Sequence, residues 1–322
     1  MFRFSRSFSP AGFWRAFWCA WVLAFVSAGG GAICSHAVEA GWPEREGEEV
    51  LRELRSAAID GDYHLRFELK VLPRRGKARV LSGELWGSRN AEGPVSRVAL
   101  YDGAAPRAQA GAAPRAPALA AEVEGAGAVS AAKPPARTLL IQNGVAPRIW
   151  VYEAGMASAE PLPESEWHAP LLADAEISAF DLLMPYLYWE DFDFEGGDKV
   201  LGRAAYRFLF REPVRAEDAS GAGTSPSERL SVRAYFDQQF HALLQSKLIG
   251  PDGAVTKTLT VRDLQKKSGQ WMLKSIDLRN ERTRDKTRFE VREAELGLAL
   301  EPWIFKPEWL GEPVTLPEPK RP

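Results

Sequence analysis

The stretch YHLRFELKV, residues 63–71, decides the fold class, because its hydrophobicity alternates with a period of two. Every second residue is apolar: Tyr63, Leu65, Phe67, Leu69 and Val71. The intervening residues are polar or charged. Since successive side chains of a β-strand point to opposite faces of the sheet, this strand has one apolar and one wet face. Such strands are typical of antiparallel sheets that are covered on one side only.

The same alternation recurs along the rest of the chain. It predicts further strands near residues 78–87, 95–101, 138–142, 148–152, 201–211, 229–236, 242–249, 255–264, 270–279 and 286–292. Turn sequences separate them, among them Asn143-Gly144 and Pro251-Asp252-Gly253. About eleven strands joined by short turns are more than a small flat sheet holds. We therefore expect a strongly curved antiparallel sheet or a barrel.

Two segments follow a helical period instead and make the fold class α+β. Residues 44–58 carry apolar side chains at helical spacing: Val50, Leu51, Leu54 and Ala58. Residues 176–188 do the same with Ile177, Phe180, Leu183, Met184 and Leu187. Pro185 lies inside this second segment and predicts a kink or a break. Both helices should pack an apolar stripe on the sheet.

The bulk composition is that of an ordinary globular protein. The chain has 322 residues, of which 45% are hydrophobic and 26% charged, and its formal net charge is -2. Neither an acidic nor a basic excess is present, which argues against nucleic acid as a partner.

The N-terminus has the layout of a secretory signal, predicted over residues 1–37. Three arginines precede a short apolar run at residues 16–25, and small residues follow. Ser35-His36-Ala37 and Val38-Glu39-Ala40 both fit a cleavage site. The alternative is a retained membrane anchor, although the run is short for a span. Lipid anchoring at Cys34 is disfavoured because the bulky Ile33 precedes it. We expect an exported, periplasmic chain of residues 38–322 that forms one domain and contains no cysteine.

Residues 104–136 are mostly Ala, Pro and Gly. Such a segment buries too little apolar surface to offset its ordering entropy, so we predict a disordered insertion within a β-hairpin connection. A domain boundary is the rival interpretation, but too few strands precede the segment to fold alone.

The sequence contains no recognisable catalytic or metal centre. A Gly-x-Ser-x-Gly elbow and a phosphate-binding loop are both missing from it. Outside the signal, the histidines His64, His168 and His241 lack metal-ligand spacing and are interpreted as surface residues. The acidic stretch 190–195 has enough carboxylates for calcium, yet a solvated acidic strand or loop is the favoured interpretation. We therefore predict no enzyme activity, no cofactor and no metal.

Aromatic residues recur on the apolar side of strand after strand. Alternation places a set of aromatic and aliphatic residues on a common face: Leu65, Phe67, Leu69, Phe208, Phe210, Val232, Phe236 and Phe289. If the sheet curls, these residues converge on one concave surface, which the helix carrying Leu183 and Leu187 would cover. That surface forms either an apolar cavity or a filled core, and periodicity alone favours the filled core.

Ordered motifs in residues 177–310 resemble the outer-membrane lipoprotein-sorting (LolA-like) family. Asp181-Leu182-Leu183 precedes an acidic-aromatic stretch, and Gly202 precedes Tyr206-Arg207-Phe208 and Pro213. Later come Pro251-Asp252-Gly253, Lys257, Gly269-x-Trp271, Asn280, Thr287 and the tail Phe305-x-Pro307-Glu308-x-Leu310. The first half of the chain fits only in its strand pattern, and the Ala/Pro insertion departs from the family.

The resemblance implies an incomplete β-barrel whose concave side is plugged by helices (LolA/LolB-like). It also implies a non-enzymatic periplasmic carrier of lipid or of the acyl chains of lipidated proteins, with an inner-membrane transporter and an outer-membrane acceptor as partners. The ten residues of the concave face then become the expected acyl-binding set. The alternative function is a cell-envelope structural or interaction domain with a fully packed sheet and no lipid cargo.

Overall fold

The structure is a computed structural model that describes residues 44–56, 59–103, 134–213 and 229–315. Helix α1 spans Glu44–Ser56 and helix α2 spans Ala179–Leu183. The strands are β1 Asp62–Leu72, β2 Arg79–Asn90, β3 Gly93–Tyr101, β4 Arg137–Gln142, β5 Arg148–Glu153, β6 Glu160–Pro161, β7 Phe192–Val200, β8 Arg203–Arg211, β9 Ser231–Asp237, β10 Leu243–Ile249, β11 Val255–Lys267, β12 Gln270–Asn280 and β13 Lys286–Leu298.

These thirteen strands form one antiparallel sheet in the order β6-β5-β4-β3-β2-β1-β13-β12-β11-β10-β9-β8-β7. The chain starts at the centre, moves outward to β6, crosses to β7 and returns strand by strand to β13, which pairs with β1. Within the described residues β6 and β7 do not pair with each other, so the sheet stays open. The result is the predicted incomplete barrel with short helices on its concave side.

The register places the alternating apolar residues on one inner face, as the sequence predicts. Phe67 is opposite Val291, and Leu69 is opposite Leu81 on one side and Phe289 on the other. All of these residues are buried in one core cluster. The charged residues of the same strands form cross-strand ion pairs on the outer face, such as Lys70 Nζ with Glu290 Oε2 at 2.6 Å.

Residues 162–191, here called the crossover segment, connect the two open edges of the sheet. Because β6 and β7 lie at opposite ends of the strand order, the segment must run across one face. It contains a 3-10 turn at Glu164–Glu166, helix α2, and a second 3-10 turn at Pro185–Tyr188. Its apolar side chains enter the inner core cluster, so the concave face is the one it covers.

The chain after β13, residues 299–315, packs on the outer face of β2 to β5. Leu300 and Ile304 contact Trp86 and Tyr101 in a second apolar cluster. The buried Arg97 guanidinium donates hydrogen bonds to the carbonyl oxygens of Trp309 at 3.1 Å, Leu310 at 3.0 Å and Glu312 at 2.5 Å. Burial lowers the pKa of Arg97 to about 10. This buried cation therefore fixes the C-terminal tail.

The second helical segment is broken at Pro185, as the sequence predicts: α2 ends at Leu183, Met184 adopts a left-handed φ of 47°, and Pro185 begins a 3-10 turn. Of the strand and the loop that the sequence left open for the acidic stretch 190–195, the structure shows the strand, β7, with Phe192 and Phe194 packed against the core.

Two expectations need correction. The two-residue strand β6 was not predicted. His64 is not a surface residue: it is buried on the outer face, where it stacks on Trp86 and its Nε2 lies 3.5 Å from Glu84.

The predicted signal at 1–37 lies outside the described residues, and so does most of the predicted insertion. The insertion connects two neighbouring strands, since Leu100 of β3 pairs with Arg137 of β4. Its last residue, Ala136, is described and donates its N–H to Leu100 O at 2.8 Å. Among the described residues no helix is long and apolar enough to cross a membrane.

Candidate functional site

The concave face of the sheet and the crossover segment form one apolar interior. Nine side chains of the crossover segment are buried there: Trp167, Leu171, Ala175, Ile177, Ala179, Phe180, Leu183, Tyr186 and Trp189. Helix α2 is short, but its N-terminus is stabilised by a capping box. The Ser178 hydroxyl accepts from the Asp181 N–H, and the Asp181 carboxylate accepts from the Ser178 N–H. A capped single-turn helix can keep its own structure while depending on the sheet for its position.

All ten residues of the expected acyl-binding set lie in this interior. Nine are buried: Leu65, Phe67, Leu69, Leu183, Phe208, Phe210, Val232, Phe236 and Phe289. Leu187 is only partly buried and packs at the margin of the cluster. The end of α2 at Leu183 explains the difference, because Leu187 no longer follows the helical face that carries Leu183.

Aromatic rings make up much of the interior and contact one another across elements. Phe67 and Phe289 stack at a centroid distance of 4.5 Å. Tyr186 of the crossover segment lies 5.6 Å from Phe210, which stacks on Phe208 at 5.7 Å. The covering segment is thus in direct ring contact with the face it covers.

The described part of the interior is closely packed. The space enclosed beneath α2 is a cavity of about 10 Å³, lined by Phe180, Asp181, Met184, Tyr186, Val232, Ser246, Leu248, Lys257 and Leu259. That volume holds no more than a single water. An apolar ligand of the concave face must therefore displace side chains that cover it, from the crossover segment or from Val50, Leu51 and Leu54 of α1.

One ion pair joins α2 to the sheet inside this interior. Lys257 Nζ of β11 lies 2.8 Å from Asp181 Oδ2, and the two side chains are only 15% and 8% exposed. Asp181 also accepts hydrogen bonds from the backbone N–H of Ser178 at 2.8 Å and from its hydroxyl at 2.6 Å. The carboxylate thus serves both the helix cap and the attachment of the helix to the sheet.

Backbone groups at both ends of the crossover segment's helical part are held by side chains from elsewhere. Before α2, the N–H of Glu176 donates to Thr287 Oγ1 at 2.8 Å. After it, Asn143 Nδ2 donates to Leu183 O at 2.6 Å, and Arg55 Nε donates to Leu187 O at 2.5 Å. Further side chains reach the segment at Ala173, Trp189 and Asp191, each by hydrogen bonds of its own. These polar attachments are separate from one another, whereas the contacts of the covered face are apolar.

The titratable side chains near the interior are scattered among the described residues. Among the described residues no three His, Cys, Asp or Glu side chains are grouped to hold a metal ion. His168 packs its ring 4.3 Å from Phe180, and His241 Nδ1 lies 2.9 Å from Glu53 at the surface. Burial raises the pKa of the Tyr186 phenol above its ordinary value. The site can bind apolar groups by burial alone.

Sequence reasoning missed several members of the site. Tyr186 and Trp189 line it from the crossover segment and were not singled out. Phe180, Phe192 and Phe194 also line it; the sequence placed them on faces turned to the sheet but not in the acyl-binding set. The ion pair of Asp181 with Lys257 was also missed, although both residues belong to the motifs of the resemblance. The alternation of Phe192 and Phe194 with acidic residues was a usable signal for β7.

Comparisons with known proteins find similarity in the fold and not in the sequence. No family model matches the sequence, and no curated protein matches it. A domain assigned to outer membrane lipoprotein sorting, from Vibrio parahaemolyticus, superposes with a TM-score of 0.63 at 15% identity, covering 84% of this chain and 100% of that one. A DUF1329 family protein from Desulfovibrio piger gives 0.60 at 13% identity, with 83% and 98% covered. A LolA superfamily protein from Nitrosomonas europaea gives 0.54 at 10% identity, with 82% and 98% covered.

These similarities extend over nearly the whole of each solved structure. The chain therefore has a LolA-like fold. At identities of 15% or less, the likeness concerns the arrangement of the backbone and not the residues of the site.

Proposed function

We propose that this chain is a periplasmic, non-enzymatic carrier or binding protein for acyl chains of lipids or lipidated proteins. The observation that carries the proposal is the covered concave face, where buried aromatic and aliphatic side chains meet a crossover segment that lies across them. The LolA-like fold and the lipoprotein-sorting assignment of the Vibrio domain support it.

The crossover segment is the part that can yield to cargo. It is a connection and not a strand, so moving it breaks none of the sheet ladders. Its helix has five residues, and Met184 and Pro185 interrupt the backbone immediately after it. Local opening is cheapest where an element has few cooperative hydrogen bonds to its surroundings.

Burial of the crossover segment's side chains and burial of an acyl chain on the same face are worth comparable free energies. Burying one Leu- or Phe-sized side chain is worth about 1.5–3 kcal/mol. Burying an acyl chain is worth about 0.8 kcal/mol per methylene, or about 11 kcal/mol for about 14 methylenes. One such chain can thus replace about five side chains of the crossover segment at little net cost. Cargo and cover can compete for the same face, which is what loading and release require.

The filled interior is the specific observation in favour of the alternative function. A cavity of about 10 Å³ is what a structural or interaction domain with a packed sheet would show. In the carrier interpretation the same structure is the closed form, in which the chain's own side chains occupy the cargo site. The two interpretations differ in whether the crossover segment can leave.

The predicted signal and the resemblance extend the proposal to location and partners. A carrier in the periplasm needs a donor at the inner membrane and an acceptor at the outer membrane, so we include a transporter and an acceptor protein in it. Lipid anchoring at Cys34 is not part of the proposal, because Ile33 is a poor fit before a lipidated cysteine.

A charge placed in the interior tests the carrier. Phe210→Glu buries an unpartnered carboxylate, which is costly unless water reaches it. If the crossover segment opens, the variant stays folded by circular dichroism and loses binding of a fluorescent fatty acid. The control is Val80→Glu at an exposed position of β2, which should bind as wild type does.

The scaffold interpretation expects the opposite result. In a permanently filled core Phe210→Glu unfolds the chain, and the wild type binds no fatty acid. Mass spectrometry of lipids extracted from the protein, purified from its native envelope, then identifies the cargo or shows that there is none.

A further inference from the structure

The hairpin of β11 and β12 projects beyond its neighbours in the sheet. Strand β10 pairs with β11 no further than Thr260, and β13 pairs with β12 only from Ser275 onward. Residues 261–274, here called the arm, therefore pair within the hairpin alone. Its tip is held in place, because Gln270 exchanges two hydrogen bonds with the backbone of Asp60, at 2.8 and 3.3 Å. The arm is a fixed projection and not a loose loop.

Large apolar side chains are exposed on and beside the arm. Trp271 is 60% exposed, and Leu264 on the facing strand is 37% exposed. Lys266 is directly opposite Trp271, so Leu264, two residues away, shares a face with both. Phe240, in the turn between β9 and β10, is 40% exposed and its ring centroid is 6.4 Å from that of Trp271. These three residues are called the arm patch.

Positive charge surrounds the arm patch. The arm contains Arg262, Lys266, Lys267 and Lys274 but a single acidic residue, Asp263. Arg262 and Lys274 are 3.7 and 3.8 Å from carboxylates, whereas Lys266 and Lys267 at the tip have no ion pair among the described residues. The Arg203 guanidinium lies 5.0 Å from the Phe240 ring, but it is paired with the carboxylate of Asp237.

We propose that the arm docks this protein on an anionic lipid bilayer, with Trp271 in the headgroup region and Lys266 and Lys267 against lipid phosphates. Tryptophan favours the membrane–water interface because its ring is apolar and its N–H is polar. Lysines beside it gain from the negative surface potential of the leaflet. This surface lies outside the concave interior, so the proposal goes beyond the carrier function and does not depend on cargo.

A bilayer fits the arm patch better than a protein partner does. A stable protein interface uses about 20–30 residues on each side, around a buried centre. Here Trp271 and Leu264 stand on a narrow projection, Phe240 lies beside it, and Lys266 and Lys267 are at its tip. Shallow insertion into the membrane–water interface needs only a small apolar tip of this kind.

Hydroxyl-radical footprinting of the full chain tests the contact at the side chains themselves. The probe is a vesicle of phosphatidylcholine with about one third phosphatidylglycerol. Vesicles should reduce the labelling of Trp271 and Phe240 several-fold and leave Val80, exposed on β2, unchanged. Unchanged labelling of Trp271 overturns the proposal, as does protection by a protein extract but not by vesicles.

Charge reversal tests the electrostatic part. Lys266→Glu with Lys267→Glu should lower vesicle partitioning at least about 25-fold, since each lysine near an anionic surface contributes about fivefold. The matched control is Arg75→Glu with Lys77→Glu, in the exposed turn at the other end of β1, with the same change in net charge. Both variants keep residues 1–37, so any contribution of that segment is common to them. Equal partitioning of the two variants overturns the proposal.

Discussion

The ion pair between Asp181 and Lys257 offers the sharpest test of whether the crossover segment opens. Lys257→Met removes the ammonium group but retains the length of the side chain. The helix cap survives, because Ser178 still donates its N–H and hydroxyl to Asp181. Asp181 then remains 8% exposed without its cation in the closed form, whereas water can reach it in the open form. The substitution should therefore favour opening.

The magnitude follows from the burial of Asp181. Leaving a buried polar group without a partner costs about 1–3 kcal/mol, and the two remaining hydrogen bonds favour the middle of that range. A change of about 2 kcal/mol raises the open population about 30-fold. When only the open form binds, the apparent dissociation constant falls by the same factor until the open form dominates.

An uncharged fluorescent acyl ester is the suitable ligand, because a fatty-acid carboxylate could itself pair with Lys257. Titration should show about 30-fold tighter binding to the variant, and hydrogen exchange should accelerate at residues 179–183. The matched control is Lys70→Met, which breaks an ion pair with Glu290 on the outer face. Unchanged affinity in Lys257→Met, or equal changes in both variants, would refute the opening of the crossover segment.

Three further predictions concern other parts of the chain. Intact-mass analysis of periplasmic protein should give an N-terminus at Val38 or Gly41, and a full-length membrane-embedded product would contradict the signal. Replacing residues 104–133 by a short Gly/Ser link should change the melting temperature little, since loop closure costs only about (3/2)RT ln n; loss of folding would contradict this. Burial alone would raise the pKa of Asp277, but the hydrogen bond from Arg288 and nearby cations lower it below its ordinary value. Its stabilisation is thus complete above the unfolded pKa and lost as pH falls through the folded one, so thermal melts from about pH 5 to 3 should fall more steeply in wild type than in Asp277→Asn.

The sheet could be predicted because its signal is local. Period-two alternation identifies a strand and its buried face without knowledge of its partner, which is why residues 63–71 predicted β1 and its inner residues correctly. The expected acyl-binding set followed from the same alternation. Its members lie on one face of their strands, so Phe67 and Phe289 meet in the interior where β1 pairs with β13.

Other features could not be predicted because they depend on pairing across the fold. Alternation of Phe192 and Phe194 with acidic residues indicates a strand at the start of β7, but Gly196-Gly197 lowers the strand propensity that follows, so the choice between strand and loop depends on pairing with β8. His64 has the parity of the wet face, yet the C-terminal residues 299–315 cover that part of the outer face and bury its surroundings. Neither contact can be inferred from a window of neighbouring residues.

Periodicity favoured a filled interior. A filled interior is only a weak argument against carrier function. An apolar site that stayed open to water would expose its aromatic surface, and such surfaces associate with one another. A carrier without cargo therefore needs a cover, and the cheapest cover is a segment of its own chain. Here the strands make the sheet ladders among themselves. The crossover segment is attached by separate hydrogen bonds and one ion pair, at Ala173, Glu176, Ser178, Asp181, Leu183, Leu187, Trp189 and Asp191. Continuous hydrogen-bond ladders in the sheet and separate attachments in the covering segment are the distribution of stability that reversible loading requires.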